Sequence, residues 1–131
     1  MKRIKNQNRP KQILDTLLAQ VYLKNRVQLD TSLHVDRNPK SFPKKRDIAY
    51  TDGETICISP KMYSLEIENQ IAVLAHEVAH CYLIALGDTD HTEDDADNMV
   101  YHLFGITINY DDDDIQTTHP TGKIRPRYLP Q

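Results

Sequence analysis

The sequence predicts a small α+β domain, and three observations carry that reading. Apolar residues recur at helical spacing in three separate segments. They alternate with polar residues over 27–35, and an Asp-Gly pair joins two short apolar runs further on. At 131 residues there is room for one core, and 39% hydrophobic with 27% charged residues is the composition of a folded chain. One domain is expected over residues 1–131, with a basic arm at 1–9 and an irregular, proline-containing tail at 115–131.

The first helix is expected near residues 10–25, where Pro10 suits an opening turn and Ile13, Leu14, Leu17, Leu18 and Val21 form one apolar face. Val27, Leu29, Thr31, Leu33 and Val35 then alternate with Gln28, Asp30, Ser32 and His34, predicting a half-buried strand with His34 on its exposed side. After a basic loop at 36–46 come two short strands, near 47–51 and 55–59. Asp52-Gly53 between them is a favoured pair for a type I′ hairpin turn. Ser59-Pro60 supplies the cap and first position of a helical segment. The longest helix, about 65–86, carries Ile67, Ile71, Leu74, Val78, Cys81 and Ala85 as a core stripe, and Gly87 is placed to end it in a left-handed conformation. Thr92 and Asp95 open a further helix whose core stripe is Ala96, Val100, Leu103 and Phe104, and Gly105 closes it. Ile106, Ile108 and Tyr110 alternate in a short extended segment.

The charge and cysteine patterns exclude several classes. No apolar run approaches the ~20 residues of a membrane span, and the N-terminal stretch lacks the apolar core of a secretory signal, so a soluble cytoplasmic protein is expected. Cys57 and Cys81 do not make a disulfide framework. The run Asp111–Asp114 lacks the spacing of a calcium loop and reads as a solvated loop. Residues 1–46 carry 12 of the 16 Lys and Arg against three acids, a net of +9, while 47–131 carry −12. That asymmetry admits nucleic acid as a partner, but no nucleic-acid-binding motif accompanies it, and mutual neutralisation is the simpler reading.

The chemistry sits in His76-Glu-Val-Ala-His80. Residues four apart lie one above the other on a helix, so both imidazoles can reach one metal ion, and Glu77 lies close enough to act on a bound water. His76 stands roughly 200° around the helix from Val78, away from the core stripe. A hydrolytic zinc site needs three protein ligands and one open position. Glu93 on the next helix supplies a carboxylate for the third, and Asp97, one turn later, can bond the outer nitrogen of a ligating histidine. His91 competes with Glu93, being a good zinc ligand two residues earlier in the preceding loop. A third histidine of the metzincin kind would fall at position 86, which is Leu86. Tyr50, Tyr63 and Tyr110 can each donate to an oxyanion, although core packing is the commoner fate of tyrosine. His102 reads as a surface or structural residue.

His76-Glu-Val-Ala-His80 followed by Glu93-Asp-Asp-Ala-Asp97 resembles the gluzincin metallopeptidases, and within them the HtpX-like and CAAX-prenyl-protease family with its HExxH…ExxxD pattern. Thr118-His119-Pro120, with Arg125 six residues after the histidine, matches a Thr-His-Pro…Arg segment of that family. Its histidine lies near the substrate carbonyl. The strand Ile56-Cys-Ile58 ahead of the motif is also similar to the ImmA/IrrE-like peptidases. The resemblance covers roughly residues 47–126. Unlike the family's membrane-embedded members this chain shows no transmembrane helix, and its size is that of the soluble minigluzincins, so prenylated substrates are not implied.

The resemblance implies a small zincin-like domain: a short twisted sheet, an N-terminal helix, the HExxH helix and a glutamate-bearing helix. It implies one zinc ion per chain, a peptide or protein substrate, Glu77 as general base and His119 as oxyanion donor. Arg125, Ile56 and Ile58 are substrate-contacting or structural candidates, with residues 55–59 expected as the edge strand over the zinc. Two rival readings stand beside this one: a protease associated with nucleic acid, and a latent or inactive zinc-stabilised interaction module whose tail covers the cleft. Nothing in the sequence addresses oligomeric state.

Overall fold

The computed structural model describes residues 8–38, 40, 42 and 48–108. Helix α1, Arg9–Asn25, begins with Pro10 in its first turn, where a missing N–H leaves nothing unpaired. It buries Leu14, Leu17 and Val21, the apolar face of the sequence pattern. Arg26 ends it in the left-handed region, at φ 59°, donating its N–H to the Tyr22 carbonyl at 2.8 Å.

Strand β1 is shorter than its alternation predicts. Burial alternates from Val27 onward, with Leu29 buried and His34 exposed, but ladder pairing is confined to Ser32–Val35. The limit comes from its parallel partner β3, Thr55–Ile58: Ser32 already faces Thr55, so residues 27–31 run past the end of β3 beside the hairpin turn. Strand β2, Ala49–Thr51, pairs antiparallel with β3 on its other side.

The order is therefore β1-β3-β2. This corrects the placement of residues 55–59 at the edge: β3 is the central strand, and Ile56 and Ile58 are fully buried core residues. The hairpin turn also differs from expectation. A type I′ turn needs positive φ at both central residues. Here Gly53 alone has it, at 103°, and the Asp52 carboxylate accepts the N–H groups of Glu54 and Thr55 at 2.9 and 2.8 Å. Asp52 thus caps the turn from its own side chain, shifting the turn centre one residue along.

Ser59 caps a 3-10 helix, Pro60–Ser64, as the sequence predicts. Gln70, buried in α2, donates to the Met62 carbonyl at 2.9 Å and ties that short helix to its neighbour. Helix α2, Ile67–Ala85, is buried on every side from Ala72 to Leu83, whereas a single core stripe was expected. Ile67 and Ala85, at the two ends of that stripe, are exposed. The cause is its central position, packed against α1, β2 and α3 (Glu93–Phe104). Gly87, at φ 93°, reverses the chain after α2. Its N–H reaches the Ile84 carbonyl and that of Asp88 the Leu83 carbonyl, both at 2.9 Å, which together make a Schellman cap.

Helix α3 starts with the full capping box, Thr92 bonding the Asp95 N–H and the Asp95 carboxylate returning to the Thr92 N–H. Ala96, Val100, Leu103 and Phe104 are buried as expected, and Gly105 closes the helix at φ 69°. Ile106 is buried beyond it. Among the described residues, 106–108 join no ladder, and no helix is long and apolar enough to cross a membrane.

The place of β3 has a measurable consequence. Truncating a solvent-facing side chain on an edge strand costs little. Ile56→Ala on this central strand should instead lower unfolding free energy by about 2–5 kcal/mol, as a buried isoleucine does when it leaves a cavity. Denaturant unfolding of the variant checks this, and a loss within ~0.5 kcal/mol would contradict the burial of β3.

Candidate metal centre

Helix α2 carries His76 and His80 on one face, one turn apart, with Glu77 between them in sequence. All three are buried, at 2%, 8% and 3% exposure. The loop after the Schellman cap turns the chain back, and the capping box starts α3 with Glu93 as its first residue, bringing that carboxylate over the two imidazoles.

Three donor atoms converge there. His76 Nε2 and His80 Nε2 are 3.1 Å apart, and Glu93 Oε1 lies 2.7 Å from the first and 3.3 Å from the second. In a tetrahedral zinc site with bonds of ~2.0–2.1 Å, neighbouring donors stand ~3.3 Å apart. The three separations are close to the edges of such a tetrahedron, so His76, His80 and Glu93 can hold one metal ion.

The donor chemistry agrees with the distances. His76 Nδ1 lies 2.8 Å from Asp97 Oδ1, one turn beyond Glu93 on α3. An ionised carboxylate only accepts, so Nδ1 carries the proton and donates it, which leaves Nε2 as a lone pair in the neutral ring. That lone pair points at the Glu93 oxygen and the second imidazole. The arrangement suits a cation among these groups, either a metal ion or a proton on His76.

Electrostatics describe the proton-bearing case. Burial alone would lower the pKa of His76, but the Asp97 and Glu93 carboxylates outweigh it and push the imidazole up to about 9. Glu93 responds in the opposite sense: burial would raise its pKa, and the two histidines hold the carboxyl well below the usual carboxylate range.

The remaining candidates fall in different places. His91 is not among the converging donors. Its Nε2 lies 2.6 Å from His80 Nδ1, on the outer side of that ring, and its Nδ1 lies 2.8 Å from the Asp88 carbonyl. Sequence reasoning set His91 in competition with Glu93 and did not foresee this contact. Its only local signal is a histidine in the loop between two site-bearing helices. His102 is exposed, beside Tyr101. Tyr50 meets Phe42 edge to face, and Tyr63 packs partly buried against the core. Cys57 and Cys81 are free thiols, and burial pushes Cys81 up, which makes it a poor nucleophile. His119, Arg125 and Tyr110 lie outside the described residues.

The fold is similar to the crystal structure of the metallopeptidase zymogen of Pyrococcus abyssi abylysin. The TM-score is 0.52 at 20% sequence identity, over 72% of this chain and 79% of that one. At that identity the likeness establishes a shared fold. No family model matches this chain, and no curated protein matches it.

The raised pKa of His76 fixes the sign of two pH effects in the metal-free protein. Its folded value of about 9 exceeds the unfolded value near 6.5. The contribution of this proton to stability is complete below pH ~6.5 and is lost as pH rises through about 9. Zinc has to displace the same proton, so binding at pH 7.5 should release about one proton per ion. Calorimetric titration in buffers of different ionisation enthalpy measures that number, and a value of zero would mean that His76 is already neutral.

Proposed function

We propose that this chain is a zinc-dependent endopeptidase of the minimal gluzincin kind, with one zinc ion per chain held by His76, His80 and Glu93. The observation that carries the reading is the convergence of those three donors within a tetrahedron's spacing, in the helix turn that also holds Glu77. The likeness in fold to a metallopeptidase zymogen supports it.

Bound zinc supplies Lewis acidity and brings a water molecule toward neutral pKa. Glu77, buried beside both histidines, takes the proton of the attacking water and returns it to the leaving amine. Asp97 holds His76 in the tautomer that presents Nε2 inward. His119 donates to the tetrahedral oxyanion, a role that rests on the Thr118-His119-Pro120 resemblance. An extended peptide needs a sheet edge, and β2 is the edge strand packed against α2, with Thr51 Oγ1 3.4 Å from Cys81 Sγ. Backbone pairing there selects weakly among side chains, so the substrate class is unstructured peptide or denatured protein.

The abylysin structure being that of a zymogen favours a second, compatible reading, in which the full chain is latent and residues 115–131 restrain it. Truncation near residue 115 should then raise peptidase activity.

Glu77→Gln keeps the size of the side chain and loses its basicity. It should bind zinc as wild type does, yet lose cleavage of an unstructured peptide by ~10²–10⁴-fold, the range of a removed general base. Glu93→Ala should instead lose the zinc. Metal analysis and a peptide-library assay on full-length and truncated protein check both variants. Zinc binding without cleavage by any wild-type form would leave the interaction-module reading in its place.

A further inference from the structure

We propose that His91 is a positioning residue for the metal centre: it fixes the tautomer of His80 and takes its own orientation from the cap of α2. The proposal rests on the zinc reading above, in which His80 Nε2 must be a lone pair.

The protons can be assigned by following acceptors inward. The Asp88 main-chain carbonyl can only accept, and His91 Nδ1 stands 2.8 Å from it, so Nδ1 carries a proton. In a neutral ring His91 Nε2 is then the lone pair. It lies 2.6 Å from His80 Nδ1, which must therefore be the donor. With its proton on Nδ1, His80 presents a lone pair at Nε2, 3.1 Å from His76 Nε2 and 3.3 Å from Glu93 Oε1. Asp97 accomplishes the same for His76 through a carboxylate. Both inward-facing nitrogens are thus prepared as ligands, one by a charged acceptor and the other by a neutral chain.

The source of that chain is backbone. The Asp88 carbonyl is set in place because Asp88 N–H closes the Schellman cap on Leu83 and Gly87 makes the reversal at φ 93°. A Cβ on Gly87 would meet nothing within 4 Å, so backbone conformation and not space calls for glycine there. Gly87, the Asp88 carbonyl and the His91 ring thus link the end of the metal-bearing helix to the outer nitrogen of His80, with His91 eleven residues beyond His80 in sequence.

Two variants and two readouts separate this role from a structural one. His91→Leu keeps bulk and removes the acceptor, while His91→Gln restores an acceptor oxygen near the position of Nε2. In full-length metal-free protein, long-range nitrogen–proton NMR should show His80 protonated at Nδ1 in wild type and in His91→Gln. In His91→Leu the proton should redistribute toward Nε2. Zinc affinity, measured by competition with a chromophoric chelator, should fall ~10–100-fold in His91→Leu, the range for partners of ligating histidines, and largely recover in His91→Gln. The melting temperature of the metal-free protein should be the same in all three.

An Nε2–H tautomer of His80 in wild type would overturn the proposal, as would equal zinc affinity in wild type and His91→Leu. Equal losses in both variants with a lowered metal-free melting temperature would also overturn it, leaving His91 a packing residue. Absence of zinc binding by wild type, with His80 still protonated at Nδ1, would overturn the peptidase reading while the proton assignment stands.

Discussion

Burying an imidazole costs free energy unless its nitrogens find partners, and α2 buries two of them a single turn apart. Much of the molecule can be understood as the answer to that constraint. His76 and His80 face each other across 3.1 Å. Their outer nitrogens are satisfied by Asp97 and His91, and their inner ones meet Glu93. All of these partners come from one stretch after α2, the loop and first turns of α3, so the position of α3 is the condition on which the centre depends.

Two local devices fix that position. The Schellman cap at Gly87 turns the chain sharply out of α2, and the capping box that starts α3 opens at Thr92, five residues further on. Both are held by hydrogen bonds formed within a few residues. The hydrophobic face of α3, with Ala96, Val100 and Leu103 buried, then packs against α2 and α1. Glu93 and Asp97 lie on that same side of α3, interleaved with Ala96 and Val100 by their spacing, so docking of this face sets both carboxylates against His76 in one step. The resulting charge balance is a buried cation held between two carboxylates, whether that cation is a proton or a metal ion.

The sheet contributes differently. With β3 in the middle, Ile56 and Ile58 provide an apolar floor, and β2 is the edge strand packed against α2. The metal-bearing helix is consequently enclosed by α1, β2 and α3 and buried from Ala72 to Leu83, which shields both imidazoles, while the Glu93 side chain stays half exposed on the open side of the site. Low polarity around fixed donors strengthens every electrostatic interaction among them.

The sequence by itself determined whatever is encoded within a turn or two of chain. His76 and His80 four apart, Glu93 and Asp97 four apart, the caps at Ser59, Gly87, Thr92 and Gly105, and the helical periods of all three helices were legible because each depends on near neighbours. The tertiary structure alone decided what depends on distant partners. The length of β1 was set by where β3 begins, and the central place of β3 by a parallel pairing across more than twenty residues. The all-round burial of α2 came from neighbours that its own pattern does not record. The contact between His91 and His80 required the reversal at Gly87 to be formed and oriented first. Short-range hydrogen bonding and periodicity are properties of a segment, whereas strand order and the far side of an imidazole belong to whatever the rest of the chain brings against it.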